Sequence, residues 1–460
     1  MPAVAVQDRV ENEALGCSIL LPETGQAAVS GGDDAPFIRM VERGKVPPAW
    51  EIVIRDLRLP EPEGEFGQAT PPPSPAAMMA AFIGDAQAVN DQLEVDARIE
   101  DLRLADLPAA RATASFRHES GRTARYDWNF IQTGPRRFLL VQLLADQARW
   151  PTELFDRMVE SLEVKTEAEI AAATLTSVER GTDLISRFDE ETLRTIADRL
   201  GEDAWYRLHG NDRNTGEPRE FGYARLVAME TLEDAVRRPG PPQETLIGDT
   251  GLLVWIQIRI LPPRPNTPYR DVDHRAWLSW DRESELWLLR ESDRMKNTEA
   301  TRSTSIFGIR PRPTPEDPRR WLQVVSQSRE TFERGDLKIE VPANLDHFLS
   351  EAERLVLPSL LAIVEDLPGE FGVYAWNEER EAITRRVEQW DPRGGDAGAG
   401  ELASRPYRIA RPAIQQVDQA GRLLKRITPI DGSSGTFEWQ LIDGAKLRSL
   451  YLEKGIPFEG

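Results

Sequence analysis

The sequence is poor in the residue types on which most enzymes and metalloproteins depend. Its 460 residues include one cysteine, Cys17, and four histidines. A single cysteine excludes an intrachain disulfide and a cysteine-rich zinc site. No serine lies in a Gly-x-Ser-x-Gly motif, and the glycine-rich segment 394–400 lacks the Lys-Ser or Lys-Thr pair of a phosphate-binding loop. We therefore expect no cofactor, no metal ion and no catalytic residue of a known motif.

Long hydrophobic runs are also missing. The longest apolar stretches, 252–258 and 355–364, are too short to cross a bilayer. The first residues contain no apolar segment of the length found in secretion signals. The sequence therefore predicts a cytoplasmic protein without a membrane span.

Acidic residues outnumber basic ones, 77 against 57, which gives a formal net charge of −20. Phosphate backbones and anionic membrane surfaces repel such a chain, so a nucleic-acid partner is not expected. The acidic surface also promotes solubility. Hydrophobic residues at 40% and charged residues at 29% are typical of a globular protein, and the length predicts two or three domains.

The first domain is predicted to span residues 1–165 and to combine a sheet with helices. Residues 112–116, 123–131 and 137–144 have the pattern of a three-stranded meander, because turn-forming residues separate them. An acidic, proline-rich stretch, 60–75, has the composition of an extended surface loop.

This domain ends with an amphipathic helix that follows a long strand at 138–144. The apolar residues of the helix fall on one helical stripe; they are Leu154, Phe155, Met158, Val159 and Leu162. This order of elements resembles the PsbP-like α/β fold, in which helices back a sheet and the last helix follows the final long strand. The resemblance covers residues 12–165 and implies a role in binding or assembly rather than in chemistry.

Residues 166–200 are predicted to form a linker with a short helix, and residues 201–460 a large antiparallel β domain. Nine of the twelve tryptophans lie after position 200, mostly in strand-like runs. Tryptophan suits half-buried sheet surfaces, and the run 252–260 alternates as a strand with one buried face does. One helical segment, 345–367, interrupts the strands and is predicted to form a lid. The expected fold class is therefore α+β, with a PsbP-like α/β sandwich followed by a curved antiparallel sheet under a helical lid.

The last part of this domain has a strand, a turn and another strand within residues 414–426, with Asp418 and Gly421 at the turn. Together with the many strands and the single lid, this segment resembles the lipoprotein-carrier half-barrels of the LolA and LppX kind. The resemblance covers residues 200–445. It implies a curved sheet around an apolar filling and a carrier of apolar molecules.

Two short motifs have the composition of catalytic or metal sites, but a turn or a loop is the favoured interpretation of each. The Asp-Thr-Gly sequence at Asp249 matches the loop of aspartic proteases, which need a second such carboxylate. No second copy is present, so we predict an ordinary turn before a strand. Asp271, Asp273 and His274 bring carboxylates and an imidazole close together, yet a metal needs ligands from elsewhere, so we predict a solvated loop.

Three functions remain open from the sequence, which does not define the oligomeric state. The favoured one is a non-catalytic protein that binds a protein partner through its acidic surface or the stretch 60–75. The second is a carrier that holds an apolar small molecule or lipid between the tryptophans and the lid. The residues predicted to bind that ligand are Trp255, Trp277, Trp280, Phe348 and Leu361. The third is a hydrolase that uses Asp249, or Asp271 with Asp273 and His274.

Overall fold

The structure is a computed structural model. It describes residues 6–12, 14–30, 36–44, 47–59, 72–117, 123–147, 152–201, 203–211, 217–237, 248–262, 267–294, 300–328, 334–341, 345–378, 380–394, 400–404, 412–429 and 436–453. Most of the proline-rich stretch 60–75 and of the glycine-rich segment 394–400 lies outside the described residues.

The chain folds into two compact units. The first contains the described residues up to Thr174, and the second contains those from Leu175 onwards. Helix α3 (Glu167–Ile185) includes this boundary, and α4 (Glu190–Arg199) follows it. The segment 166–200, predicted as a linker with one short helix, is therefore mainly helical. Asp189 caps α4 by accepting a hydrogen bond from the backbone N–H of Thr192 at 2.9 Å.

The first unit contains two antiparallel sheets and the helices α1 (Pro75–Val89) and α2 (Thr152–Glu160). One sheet has the strand order β1-β2-β10, and the other has the order β3-β4-β5-β9-β8-β7-β6. The strands are β1 (Val6–Asn12), β2 (Cys17–Pro22), β3 (Gly25–Ser30), β4 (Phe37–Glu42), β5 (Trp50–Arg58), β6 (Leu93–Leu104), β7 (Leu107–Arg117), β8 (Thr123–Gln132), β9 (Arg137–Asp146) and β10 (Glu163–Val164).

The seven-stranded sheet buries apolar side chains on both faces. Along β9, Leu139 and Val141 enter one core, whereas Leu140 enters the core on the opposite face. The predicted apolar stripe of α2 is confirmed, because all five of its residues are buried in the first core. Helix α1 covers the other face through Met79 and Ile83.

The second unit is dominated by one fifteen-stranded sheet. Its strands are β11 (Ala204–Asn211), β12 (Pro218–Leu232), β13 (Thr250–Ile260), β14 (Tyr269–Ser279), β15 (Glu285–Arg294), β16 (Ala300–Arg310), β17 (Trp321–Ser328), β18 (Arg334–Glu340), β19 (Phe348–Leu349), β20 (Gly369–Asn377), β21 (Ala382–Asp391), β22 (Glu401–Ser404), β23 (Ala413–Val417), β24 (Leu423–Pro429) and β25 (Thr436–Ile442). The order is β18-β17-β16-β15-β14-β13-β12-β11-β25-β24-β23-β22-β21-β20-β19. Only the short β19 pairs in parallel with its described neighbour. The further helices of the unit are α5 (Glu351–Leu355), α6 (Leu357–Val364) and α7 (Gly444–Glu453).

This sheet is rolled rather than flat. The rings of Trp287 on β15 and Trp376 on β20 have centroids 6.4 Å apart, although nine strands separate β15 from β20 in the sheet. In a flat sheet, ten strand spacings of about 4.8 Å would place them roughly 48 Å apart. The guanidinium of Arg310 on β16 likewise lies 5.6 Å from the ring of Phe348 on β19. The two ends of the sheet therefore approach each other and enclose an interior.

The segment 345–367, predicted as one helical lid, instead lies inside the rolled sheet. It consists of a 3-10 turn, the strand β19, and the helices α5 and α6. Phe348, Leu360 and Leu361 are almost fully buried in the central core. A helix such as α6, which is apolar on nearly all sides, is stable only when it is surrounded by protein. Pro358 lies in the first turn of α6, the position where proline is best tolerated.

Candidate functional site

The predicted ligand-binding side chains do not form one site, because they lie on opposite faces of the rolled sheet. Trp280, Phe348 and Leu361 belong to the core inside the sheet. Along β13, Leu252, Val254 and Ile256 also face this core. Trp255 follows Val254 and therefore points to the outer face. Trp277 pairs with Leu253 and shares that outer face, where both belong to a separate apolar cluster.

The outer-face tryptophans have structural partners. The Trp255 indole N–H donates to Asp273 Oδ1 at 2.8 Å, and the guanidinium of Arg275 lies 4.5 Å from its ring. The Trp277 indole N–H donates to the backbone oxygen of Thr231 at 3.2 Å. These contacts account for both indoles as parts of the sheet surface.

The described part of the apolar interior around α5 and α6 is closely packed. The described residues between α5, α6 and the sheet, among them Leu226, Val356 and Leu423, border a gap of about 10 Å³, the size of one water molecule. A wider depression of about 560 Å³ lies at the end of α6, from Ala362 to Asp366, but Trp390 beside it is only 1% exposed. An apolar ligand therefore needs a rearrangement of the interior segment before it can enter the core.

The structure separates the members of the Asp271, Asp273 and His274 motif. The predicted loop is wrong at this position, because the motif lies within strand β14. Asp271 pairs with Arg259 at 2.7 Å and Asp273 with Arg275 at 3.0 Å on the outer face. His274 pairs with Ile256 in the sheet register and points inward. Because successive side chains of a strand point to opposite faces, His274 lies on the other face of the sheet from the two carboxylates.

Asp249 is exposed at the entry to β13, and its backbone oxygen accepts a hydrogen bond from the N–H of Glu233 at 3.1 Å.

Across the ranges given above, no group of three His, Cys, Asp or Glu side chains is placed to hold a metal ion. No helix in the described part of the chain is long and apolar enough to cross a membrane.

One end of the rolled interior is charged rather than apolar. His274 Nε2 lies 3.1 Å from Glu351 Oε1, which brings β14 and α5 together. Arg354, one turn further along α5, donates through Nε to Glu351 Oε2 at 2.8 Å and through Nη2 to Oε1. Such bidentate pairs hold both charges in a fixed geometry.

The facing wall adds three more charges from β21 and β24. In the sheet register Arg386 pairs with Val373, Glu388 with Phe371, and Arg426 with Trp439. All three register partners belong to the central core, so these charged side chains also lie on the inner face. Arg426 interacts electrostatically with Arg354, Arg386 and Glu388, so the two walls form one cluster. We call the space lined by these six side chains the recess; they are His274, Glu351, Arg354, Arg386, Glu388 and Arg426.

The recess is accessible even though its side chains point inward. The side chains of Arg354 and Arg386 are each 31% exposed. Arg426 also retains accessible surface, whereas Glu388 on the same wall is only 1% exposed. Inward-facing arginines with accessible surface show that solvent reaches this end of the interior.

The electrostatics of the recess fix the charge states of Glu351 and Arg426. Burial alone would raise the pKa of Glu351, but Arg354 and His274 hold it well below its ordinary value. Burial, together with repulsion from Arg354 and Arg386, lowers the pKa of Arg426 to about 10. Glu378 at the rim has a raised pKa because of burial and of repulsion from Glu291 and Glu351. Near neutral pH, Glu351 is therefore a fixed anion and Arg426 a fixed cation.

Sequence reasoning identified only His274 among the recess residues. The others come from three elements distant in the chain, and each is an ordinary charged residue in its local pattern. Arg385 and Arg386 are adjacent in the sequence, and only the sheet register shows that Arg386 is the one pointing inward. One sequence pattern does indicate this wall. Arg386 and Glu388 are two residues apart, and Trp390, which is buried, follows at the same spacing, so all three lie on one face of the strand.

No protein-family model matches the sequence, and neither does any curated protein. Three solved structures are similar to parts of the chain. A protein from Bacteroides thetaiotaomicron is 11% identical with a TM-score of 0.22; the match covers 42% of this chain and 61% of that one, less than two thirds of its length. Cyanobacterial PsbP (CyanoP) from Synechocystis is 14% identical with a TM-score of 0.25, over 35% of this chain and 95% of that one. A beta-barrel-like protein of a domain of unknown function from Brucella abortus is 8% identical with a TM-score of 0.32, over 52% and 95%. TM-scores of this size assign neither a fold nor an activity to this chain, whose α+β architecture follows from its own sheets and helices.

Proposed function

We propose that the second unit is a non-catalytic binding module that takes a small molecule into the recess. The observation that carries this proposal is the accessible surface of inward-facing arginines. Burying charged side chains is costly unless they are paired, so a core that served stability alone would be better filled with apolar residues. Polar and charged groups that converge beside an apolar core are the groups that fix the orientation of a ligand in a binding site.

Binding is favoured over acid–base catalysis by the charge states in the recess. A general acid or base works best when its pKa lies near the operating pH. The pKa of Glu351 is instead held far below that range by Arg354 and His274, against the effect of burial. The guanidinium groups of Arg354 and Arg386 each present a planar fork of donors, which suits them to holding a ligand in place.

The earlier expectations enter this proposal in a changed form. A carrier of apolar molecules is less favoured than a binder of polar or amphipathic ones, because the apolar core is filled and the open end is charged. A protein partner for the acidic surface stays a prediction, and so does the role of the stretch 60–75. For the first unit we propose a PsbP-like fold, supported by a sheet with a helix on each face and by α2 following the long strand β9.

Binding can be tested with four six-carbon compounds that carry different head groups: hexanoate, hexyl phosphate, hexanol and hexylammonium. We expect at least one of them to raise the unfolding temperature of the second unit in a saturable manner, because a ligand of the folded state stabilises it by mass action. Tryptophan fluorescence reports this unit, since nine of the twelve tryptophans lie in it. If none of the four compounds shifts the transition, the recess is not a binding site and the proposal is wrong.

A further inference from the structure

Arg426 differs from the other cations of the recess in having no counter-ion. Arg354 pairs with Glu351, and Arg386 pairs with Glu388 at 3.0 Å. No carboxylate among the described residues lies within ion-pair distance of Arg426, and its buried Nε has no hydrogen-bond acceptor. Buried donors usually have a partner, and an acceptor supplied by a ligand would satisfy this one.

The surroundings of Arg426 increase its affinity for an anion. Arg354 and Arg386 both repel it electrostatically, and the attraction of Glu388 offsets this only in part. The Arg354–Glu351 pair and the Arg386–Glu388 pair are each neutral. The charge of Arg426 is therefore the one positive charge among the six side chains of the recess that these pairs do not compensate. The ring of Trp439 lies 5.6 Å from the Arg426 guanidinium and limits the directions in which it can turn.

Glu388 supplies a complementary feature next to this charge. Arg386 donates through Nε to Glu388 Oε1 at 3.1 Å, and its Nη2 lies 3.0 Å from the same oxygen. The other oxygen, Oε2, is buried and accepts no hydrogen bond from the described residues. The same wall therefore has an unpaired cationic donor and an unpaired anionic acceptor.

We propose that the recess recognises an oxyanion, a carboxylate or a phosphate ester, bound to Arg426, with a neighbouring hydroxyl that donates to Glu388 Oε2. The inference rests on the proposed binding function and names the chemical class of its ligand. The oxyanion neutralises the surplus charge on the inner wall. The hydroxyl satisfies the remaining acceptor, and the two contacts together select small hydroxy acids or sugar-phosphate-like groups over neutral and cationic molecules.

The test measures the dissociation constants of hexanoate, 2-hydroxyhexanoate and hexyl phosphate by isothermal titration calorimetry, with hexanol and hexylammonium as comparisons. We expect the three oxyanions to bind and the other two to bind at least about tenfold more weakly, because a charged hydrogen bond contributes a factor of roughly 10 to 100. Whichever of hexanoate and hexyl phosphate binds more tightly decides between a carboxylate and a phosphate. Tighter binding of hexanol or hexylammonium would overturn the oxyanion and leave the binding function standing.

Variants at neighbouring positions of β24 separate the charge of Arg426 from charge in general. Arg426→Met should weaken oxyanion binding by roughly 10- to 100-fold, and Arg426→Lys should retain part of it. Lys425→Met removes the same charge from the preceding residue, which pairs with Glu438 at 3.1 Å. We expect it to change binding less than twofold. Equal losses in Arg426→Met and Lys425→Met would show an effect of overall charge and overturn the proposal.

The hydroxyl contact has its own test. The unchanged protein should bind 2-hydroxyhexanoate several-fold more tightly than hexanoate. In Glu388→Gln that preference should shrink, because the charged acceptor becomes a neutral amide and the contact with Arg386 is weakened. A preference that survives unchanged in Glu388→Gln would remove Glu388 from the recognition and confine the site to Arg426.

Discussion

Arg111 in the first unit and Arg426 in the second both sit on a sheet face among buried side chains, but the charges around them are opposite. Arg111 donates through Nε to Asp127 Oδ1 at 2.9 Å and through Nη2 to Asp156 Oδ1 at 3.0 Å. It therefore has two carboxylates for one cation. Arg426 has Arg354, Arg386 and Glu388 as electrostatic neighbours, and no carboxylate in the described part of the chain lies within ion-pair distance of it.

Under the proposed function, this difference distinguishes an arginine that joins two elements of the fold from an arginine that binds a ligand. Asp127 belongs to β8 and Asp156 to α2, so Arg111 on β7 ties the helix to the sheet. A pair of this kind contributes to a defined arrangement once it is formed, and breaking it leaves a charge in the interior. Arg426 forms no such link between described elements, and repulsion from Arg354 and Arg386 raises the free energy of the protein without a ligand.

The largest effect is expected at an arginine of the second unit that is fully paired. Arg282 donates through Nε to Glu353 at 2.6 Å and through Nη2 to the backbone oxygens of Leu345 and Phe348. Glu353 is fully buried. In Arg282→Met we expect the free energy of unfolding of the second unit to fall by about 3–5 kcal/mol, because the carboxylate loses its counter-ion. Urea titration followed by tryptophan fluorescence measures this.

The matched control removes an arginine whose ion pair is exposed. Arg312 lies 2.5 Å from Asp281, and about half of each side chain is accessible. Arg312→Met should lower the free energy of unfolding by less than about 1 kcal/mol. If the two variants lose equal stability, the burial of the pair does not decide its contribution, and the comparison between paired and unpaired arginines fails.

The two units should also respond to pH in opposite directions through one buried carboxylate each. The pKa of Glu351 is lowered by Arg354 and His274 in spite of burial. The contribution of Glu351 to the free energy of unfolding is therefore present near neutral pH and is lost as the pH falls. Burial raises the pKa of Asp127 in spite of Arg111, so its contribution is present at low pH and is lost as the pH rises through the raised value. We expect Glu351→Gln to cost about 1–3 kcal/mol near pH 7 and less near pH 4, and Asp127→Asn to show the reverse trend.

Each unit needs its own probe for this measurement. Cys17 is buried in the first unit, and burial raises the pKa of its thiol to about 12. It should therefore react with a thiol reagent only when that unit opens, while tryptophan fluorescence follows the second unit. Stability differences that change in the same direction with pH for both variants would contradict the assignment of the two carboxylates.

Local patterns predicted much of both units. The stripe of α2 and the alternation in β13 follow from the spacing of side chains along a single element. Strand β16 has no such local signal, because its inward positions Thr304, Ile306, Gly308 and Arg310 are not uniformly apolar. Gly308 is small for a packing reason: a Cβ there would lie 2.0 Å from the Trp287 ring on the next strand.

The interior segment and the recess could not be predicted from local patterns. An apolar helix has the same sequence whether it covers a sheet or fills it. Only the meeting of β15 and β16 with β19 and β20 shows that α6 is enclosed. The recess depends on the same closure, since it brings His274 to Glu351 and Arg354 to the wall that carries Arg426.

The smallest expected effect has the opposite sign and gives the sharpest test of the comparison. Because Arg426 is repelled by two arginines and has no counter-ion among the residues that the structure describes, Arg426→Met should raise the free energy of unfolding of the second unit by about 1 kcal/mol, as substitutions at strained functional positions often do. Lys425→Met should stay within about 0.5 kcal/mol of the unchanged protein. In saturating hexanoate the order should reverse, because only the protein with Arg426 gains stability from the bound anion. An Arg426→Met variant that is less stable in buffer would make Arg426 a structural arginine like Arg111, and the contrast between the two units would disappear.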